Sequence, residues 1–66
     1  MNARQFGILR NTLKIYGSKR KAEIWLSRPF EIFEGKNALQ MIETEEGCEI
    51  LEDLLIKLRY VFDPRP

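Results

Sequence analysis

Histidine is absent from these 66 residues, cysteine occurs once, and no apolar run approaches a membrane-spanning helix, which needs roughly 20 residues. Without imidazole there is no Ser-His-Asp or Cys-His arrangement and no conventional general base. The Cys/His spacings that hold zinc are missing as well. Cys48 cannot close an internal disulfide, and at the edge of an apolar helical arc it reads as structural. The four glycines are isolated at positions 7, 17, 35 and 47, so none belongs to a phosphate-cradling loop. These gaps predict a protein that is not an enzyme and uses no cofactor or metal. A free thiol without a signal peptide points to a reducing cytoplasm, and no membrane association is expected.

What is present is 44% apolar, with 11 basic and 10 acidic residues. A chain of this size has room for one core, which rarely supplies more than about 3–5 kcal/mol. With disulfides and metals unavailable, association with another chain is the remaining reinforcement. The net charge of +1 conceals a division. Residues 1–30 carry seven bases (Arg4, Arg10, Lys14, Lys19, Arg20, Lys21, Arg28) against Glu23, a balance of +6. Residues 31–66 carry four bases against nine acids, a balance of −5. Either the basic front folds against the acidic back, or one pole faces a charged partner.

Helical spacing dominates the chain. Phe6, Leu9, Leu13 and Tyr16 fall on one face of a segment from Asn2 to Tyr16 that Gly17 ends. Ile8 and Ile15 lie off that face, covered by the rest of the fold or forming a small self-association seam. Ser18 caps a second helix running to about Ser27, with Ala22, Trp25 and Leu26 inward, and Arg28-Pro29 stops it. Its first turn, Lys19-Arg20-Lys21, opposes the helix dipole. This run is a solvated turn or a contact for an anion or acidic protein. Phe30, Ile32 and Phe33 predict a tight hydrophobic connector that turns at Gly35.

Asn37 and Gln40 form a capping-box pattern at the start of a short helix carrying Leu39, Met41 and Ile42. Thr44 caps the last helix, with Glu45 and Glu46 in its first turn and Lys57 and Arg59 towards its end. That helix gathers Ile50, Leu51, Leu54, Leu55, Leu58, Val61 and Phe62 into one arc, with Gly47 where a neighbour approaches closely. On the opposite side Ile56 and Tyr60 stand four apart among Glu45, Glu49, Glu52 and Asp53, an apolar pair beside an acidic stripe. The tail Asp63-Pro64-Arg65-Pro66 cannot extend the helix. The fold class is therefore all-α, a small bundle of about four helices with a packed hydrophobic connector, in a single domain spanning 1–66.

Gly17, Ala22, Trp25-Leu26, Pro29, Gly35, Leu39, Ile42, Thr44-Glu45-Glu46-Gly47, Ile50, Leu54 and Leu58, in this order and spacing, resemble the toxin-binding domain of the Xre/MbcA/ParS-type antitoxins. The resemblance covers residues 15–62, leaving an N-terminal helix over 1–14 and a tail over 63–66. Its most specific part is "WL" followed some ten residues later by Gly-Lys-Asn-Ala-Leu-x-x-Ile-x-Thr-Glu-Glu-Gly. It implies an all-helical module that binds and occludes a RES-type toxin, an NAD-consuming enzyme, in a type II toxin–antitoxin pair. Carried onto this sequence, the partner-binding residues are Ile56, Arg59, Tyr60, Phe62 and the tail residues Asp63, Pro64 and Arg65. Trp25, Leu26, Leu39, Gly47 and Leu54 match the motif as core.

Three positions depart from the family. Residues 1–14 are too few for the helix-turn-helix-like region that usually precedes the domain, so operator binding is not carried over. Ala38 stands where proline is frequent, and Val61 where glycine often follows an aromatic. Two other readings remain: a small nucleic-acid binder using the basic N-terminal half, weakened by a pI near 7.9 and the acidic half, or a structural homodimer joined through Ile8 and Ile15.

Overall fold

The computed structural model describes residues 1–62, and side chains as far as Val61. Four α-helices follow one another: α1 (Ala3–Tyr16), α2 (Lys19–Ser27), α3 (Ala38–Met41) and α4 (Glu45–Phe62), with a 3₁₀ turn over Glu31–Phe33 between α2 and α3. No strand occurs among the described residues. The all-α bundle with a packed connector is what the spacing predicts.

Each helix begins on a side chain that answers an orphan backbone donor. Asn2 and Gln5 make a reciprocal capping box on α1, and Asn37 and Gln40 make the same box on α3. The Ser18 Oγ accepts from the Lys21 amide at 3.1 Å, and the Thr44 Oγ1 accepts from the Gly47 amide at 2.9 Å. Gly17 ends α1 with φ +74°, its amide donating to the Leu13 carbonyl at 2.8 Å. Arg28, extended before Pro29, ends α2. The connector closes on itself: the Phe30 amide donates to the Lys36 carbonyl at 3.2 Å and the Gly35 amide to the Phe30 carbonyl at 2.9 Å. Two successive residues with positive φ, Glu34 and Gly35, make that reversal.

α1 packs on both α2 and α4, and α3 bridges α2 to α4. The core contains Ile8, Trp25, Leu26, Phe33, Ala38, Ile42, Cys48, Leu51 and Leu55. Ring contacts run from Tyr16 to Trp25 (6.0 Å), Trp25 to Phe30 (5.5 Å) and Phe30 to Phe33 (5.5 Å, edge-on), so the connector is fastened to α1 and α2 by offset aromatic packing. Among the described residues no helix is long and apolar enough to cross a membrane.

The structure corrects four expectations about which side chains face inward. On α1 the buried residues are Ile8 and Thr12, while Phe6 and Leu13, expected inside, are exposed at 55% and 43%. Ile8 and Thr12 lie on the side of α1 that the neighbouring helices cover, and the Thr12 hydroxyl costs little there because it donates to the Ile8 carbonyl at 2.9 Å. Ile8 is therefore covered by the fold and unavailable to a self-association seam. On α4 the arc is narrower than predicted. Cys48, Leu51 and Leu55 are buried, whereas Ile50 and Val61 are exposed: Ile50 stands about 100° round the helix from Leu51, at the edge of the arc, and Val61 is in the last turn of an 18-residue helix of about 27 Å that outruns its shorter neighbours. Ile32 and Leu39 also face out; in the four-residue α3 it is Ala38 that reaches the core.

Gly47 answers a requirement of packing. A Cβ there would run into the carbonyl of Met41, so the end of α3 can lie against α4 only where no side chain intervenes. The adjacent Ile42 carbonyl, left without an intrahelical donor, accepts from Gln5 Nε2 at 2.8 Å and faces Cys48 Sγ at 3.4 Å. One atom thus joins α1, α3 and α4.

Candidate functional site

The C-terminal half of α4 carries the predicted contact residues, and the fold leaves them on the surface. Ile56 is 56% and Tyr60 72% exposed, and Arg59 is exposed beside them. One turn apart on the helix, Ile56 and Tyr60 are positioned to meet one partner surface together. The side chain of Phe62 and the residues Asp63, Pro64 and Arg65, also expected to bind, lie outside the described residues.

The fold adds a second wall that the sequence did not reveal. α1 and α4 run in the same general sense, since Arg4 and Gln5 meet Glu52 and Ile42 while the later residues of α1 lie beside the later residues of α4. Between their C-terminal halves is an open groove of about 400 Å³, lined by Asn11, Lys14 and Ile15 from α1 and by Glu52, Leu55, Ile56 and Arg59 from α4. Ile56 and Arg59 thus belong to a two-helix surface, whereas Tyr60 stands outside its lining. Asn11, Lys14 and Ile15 were missed as site residues. The available signal was that Ile15 falls off the main apolar face of α1.

Electrostatics at the groove are set by one ion pair. Arg4 grips Glu52 with two hydrogen bonds, Nε to Oε2 at 3.0 Å and Nη2 to Oε1 at 2.6 Å, the fork geometry that suits guanidinium and carboxylate. The hydrogen bonds from Arg4 hold the Glu52 carboxyl below its ordinary range, and those to Glu52 push the guanidinium further up. Glu52 is thereby neutralised by a residue outside the groove. Lys14 and Arg59 have no ion-pair partner among the described residues. Elsewhere, burial pushes the Tyr16 hydroxyl up, partly offset by Arg28.

The other singled-out groups have structural positions or stand apart from the groove. Cys48 is buried, its thiol turned to the Ile42 carbonyl. Lys19, Arg20 and Lys21 are exposed but do not line the groove. Glu45, Glu49 and Asp53 are exposed on α4, outside it. Among the described residues no cluster of three or more His, Cys, Asp or Glu could hold a metal. The groove offers cationic groups, a carboxamide and apolar walls, a set suited to side chains of another polypeptide.

Residues 13–60 match the family described as the antitoxin Xre/MbcA/ParS C-terminal toxin-binding domain. The chain is also similar to a curated protein named Antitoxin Xre from Pseudomonas putida strain KT2440, with 36% identity over 44 residues, covering 67% of this chain and 28% of that relative. The matched region is thus under a third of the relative's length. No solved structure matches.

Proposed function

This chain belongs to the antitoxin Xre/MbcA/ParS C-terminal toxin-binding domain family, and from that premise we propose that it neutralises a RES-type, NAD-consuming toxin by binding over its active site. The partner-binding surface is the exposed end of α4, with Ile56, Arg59 and Tyr60 as contacts; Phe62, Asp63, Pro64 and Arg65, which follow in sequence, are the other proposed contacts. The observation that supports this reading is the outward placement of Ile56 and Tyr60 beside an open groove, on a helix whose other face is committed to the core. Large apolar side chains at the centre of a protein contact carry much of its binding energy. The action is occlusion: the chain itself transforms nothing, and its effect is stoichiometric.

Co-expression with the product of the neighbouring gene tests this directly. The expected result is a stable complex in which NAD consumption by the partner stops at a fixed molar ratio. A neighbour that is not RES-like, together with no complex, would overturn it. Tyr60→Ala and Ile56→Ala leave the fold intact, because both side chains are exposed, and each is expected to cost about 1–3 kcal/mol of binding.

A further inference from the structure

The charge on the groove fixes the sign of what fills it. Lys14, in the last turn of α1, and Arg59, in the last turn of α4, border the same concavity with Ile15, Leu55 and Ile56 between them. Among the described residues the only carboxylate in its lining is Glu52, and both oxygens of Glu52 are taken by Arg4. Two cations therefore share a groove whose own acid is already satisfied, and among the described residues an incoming anion meets no competing carboxylate there. The acids that make α4 look negative in sequence, Glu45, Glu49 and Asp53, lie outside this lining.

We propose that the α1–α4 groove receives an acidic segment of the toxin, an apolar side chain seated against Ile15, Leu55 and Ile56 with flanking carboxylates held by Lys14 and Arg59. The proposal rests on the toxin-binding reading and deepens it. It makes α1 part of the recognition surface and reverses the polarity suggested by the acidic stripe. Lys14 and Arg59 select the partner by charge and speed its approach, while the apolar floor slows its departure. Asn11, on the same wall, has a carboxamide free to donate to the segment's backbone.

The test is the association rate of the full chain with its co-expressed toxin, followed by stopped flow, for the wild type and for Lys14→Glu, Arg59→Glu and the double variant. Lys36→Glu removes the same charge at a residue that does not line the groove, and is the control for net charge. Each reversal in the groove is expected to slow association about tenfold and the pair about a hundredfold, with Lys36→Glu within about twofold of wild type. Raising salt slows the wild type steeply and the double variant much less. Unchanged rates in the double variant overturn the groove as the docking site, and so does an equal loss in Lys36→Glu, which would make net charge alone responsible. If the wild type forms no complex at all, the toxin-binding reading falls and takes this proposal with it. Circular dichroism checks that the reversed variants remain helical. The neutral pair Lys14→Gln/Arg59→Gln, expected to lose about tenfold, serves in their place if they unfold.

Discussion

Gly47 and Gly7 are both helical glycines, and the fold treats them oppositely. A methyl group at Gly47 would strike the Met41 backbone carbonyl, which cannot swing aside as a side chain can, whereas nothing lies within 4 Å of one at Gly7. Gly47→Ala is therefore expected to cost about 3 kcal/mol, the upper part of the range for over-packing. In a domain whose total stability is a few kcal/mol that leaves much of the chain unfolded. Gly7→Ala is expected to stabilise by about 0.5–1 kcal/mol, by removing backbone freedom from the unfolded chain. Urea titrations of the two variants followed by circular dichroism should move in opposite directions, and a shift in the same direction would mean that the α3–α4 contact is looser than it looks. The close approach at Gly47 was legible in sequence because a glycine sat near the centre of an apolar arc. That the intruder is the terminal carbonyl of a four-residue helix was not, because it depends on where the chain turns after Ile42.

Caps and stops were the most legible elements, since Ser18, Asn37, Thr44, Gly17 and Arg28-Pro29 act on atoms a few residues away. Faces were less legible. α1 carries apolar residues on more than one side, and its burial is decided by how closely α4 can approach, a property of both helices together. The same reason hid half of the candidate site: Ile56 was readable as an outward position on α4 and Arg59 came with the family resemblance, while Asn11, Lys14 and Ile15 joined them only through packing. The Arg4–Glu52 pair, 48 residues apart in sequence, is the electrostatic form of that α1–α4 contact, and its pH dependence has a definite sign. Because Glu52 is held below its ordinary value in the folded chain, its contribution is complete above the unfolded pKa, near 4.5, and is lost as pH falls through the folded one. Both side chains are well exposed, so the effect is small and weakened by salt. The melting temperature of Glu52→Gln should fall below that of wild type at pH about 6, with the two curves converging in acid once the folded Glu52 carboxyl is protonated. A constant gap across the whole range would assign the difference to packing instead.

For the whole molecule, the separation into a basic front and an acidic back does not end in a lattice of internal ion pairs, since Arg4–Glu52 is the salt bridge that the described residues make. Most charges remain directed at solvent or at another molecule. The small core has the same implication, because a chain with a single cysteine has no internal disulfide to reinforce it and gains from a bound partner. Binding confined to the folded state stabilises by about 2.7 kcal/mol when the free partner is at 100 times Kd, and a domain of this size shifts by about 4–8 °C per kcal/mol. The melting temperature of the chain in its toxin complex should therefore rise by about 10–20 °C, measured on isotopically labelled chain so that the toxin's own transition is not read. The unbound chain discriminates the alternative support, self-association: a homo-oligomer melts higher as its own concentration rises, whereas a monomer melts at one temperature throughout. With Ile8 enclosed in the core, a concentration-independent melt is expected, and the large gain on adding toxin would then identify the partner as the missing part of the fold's stability.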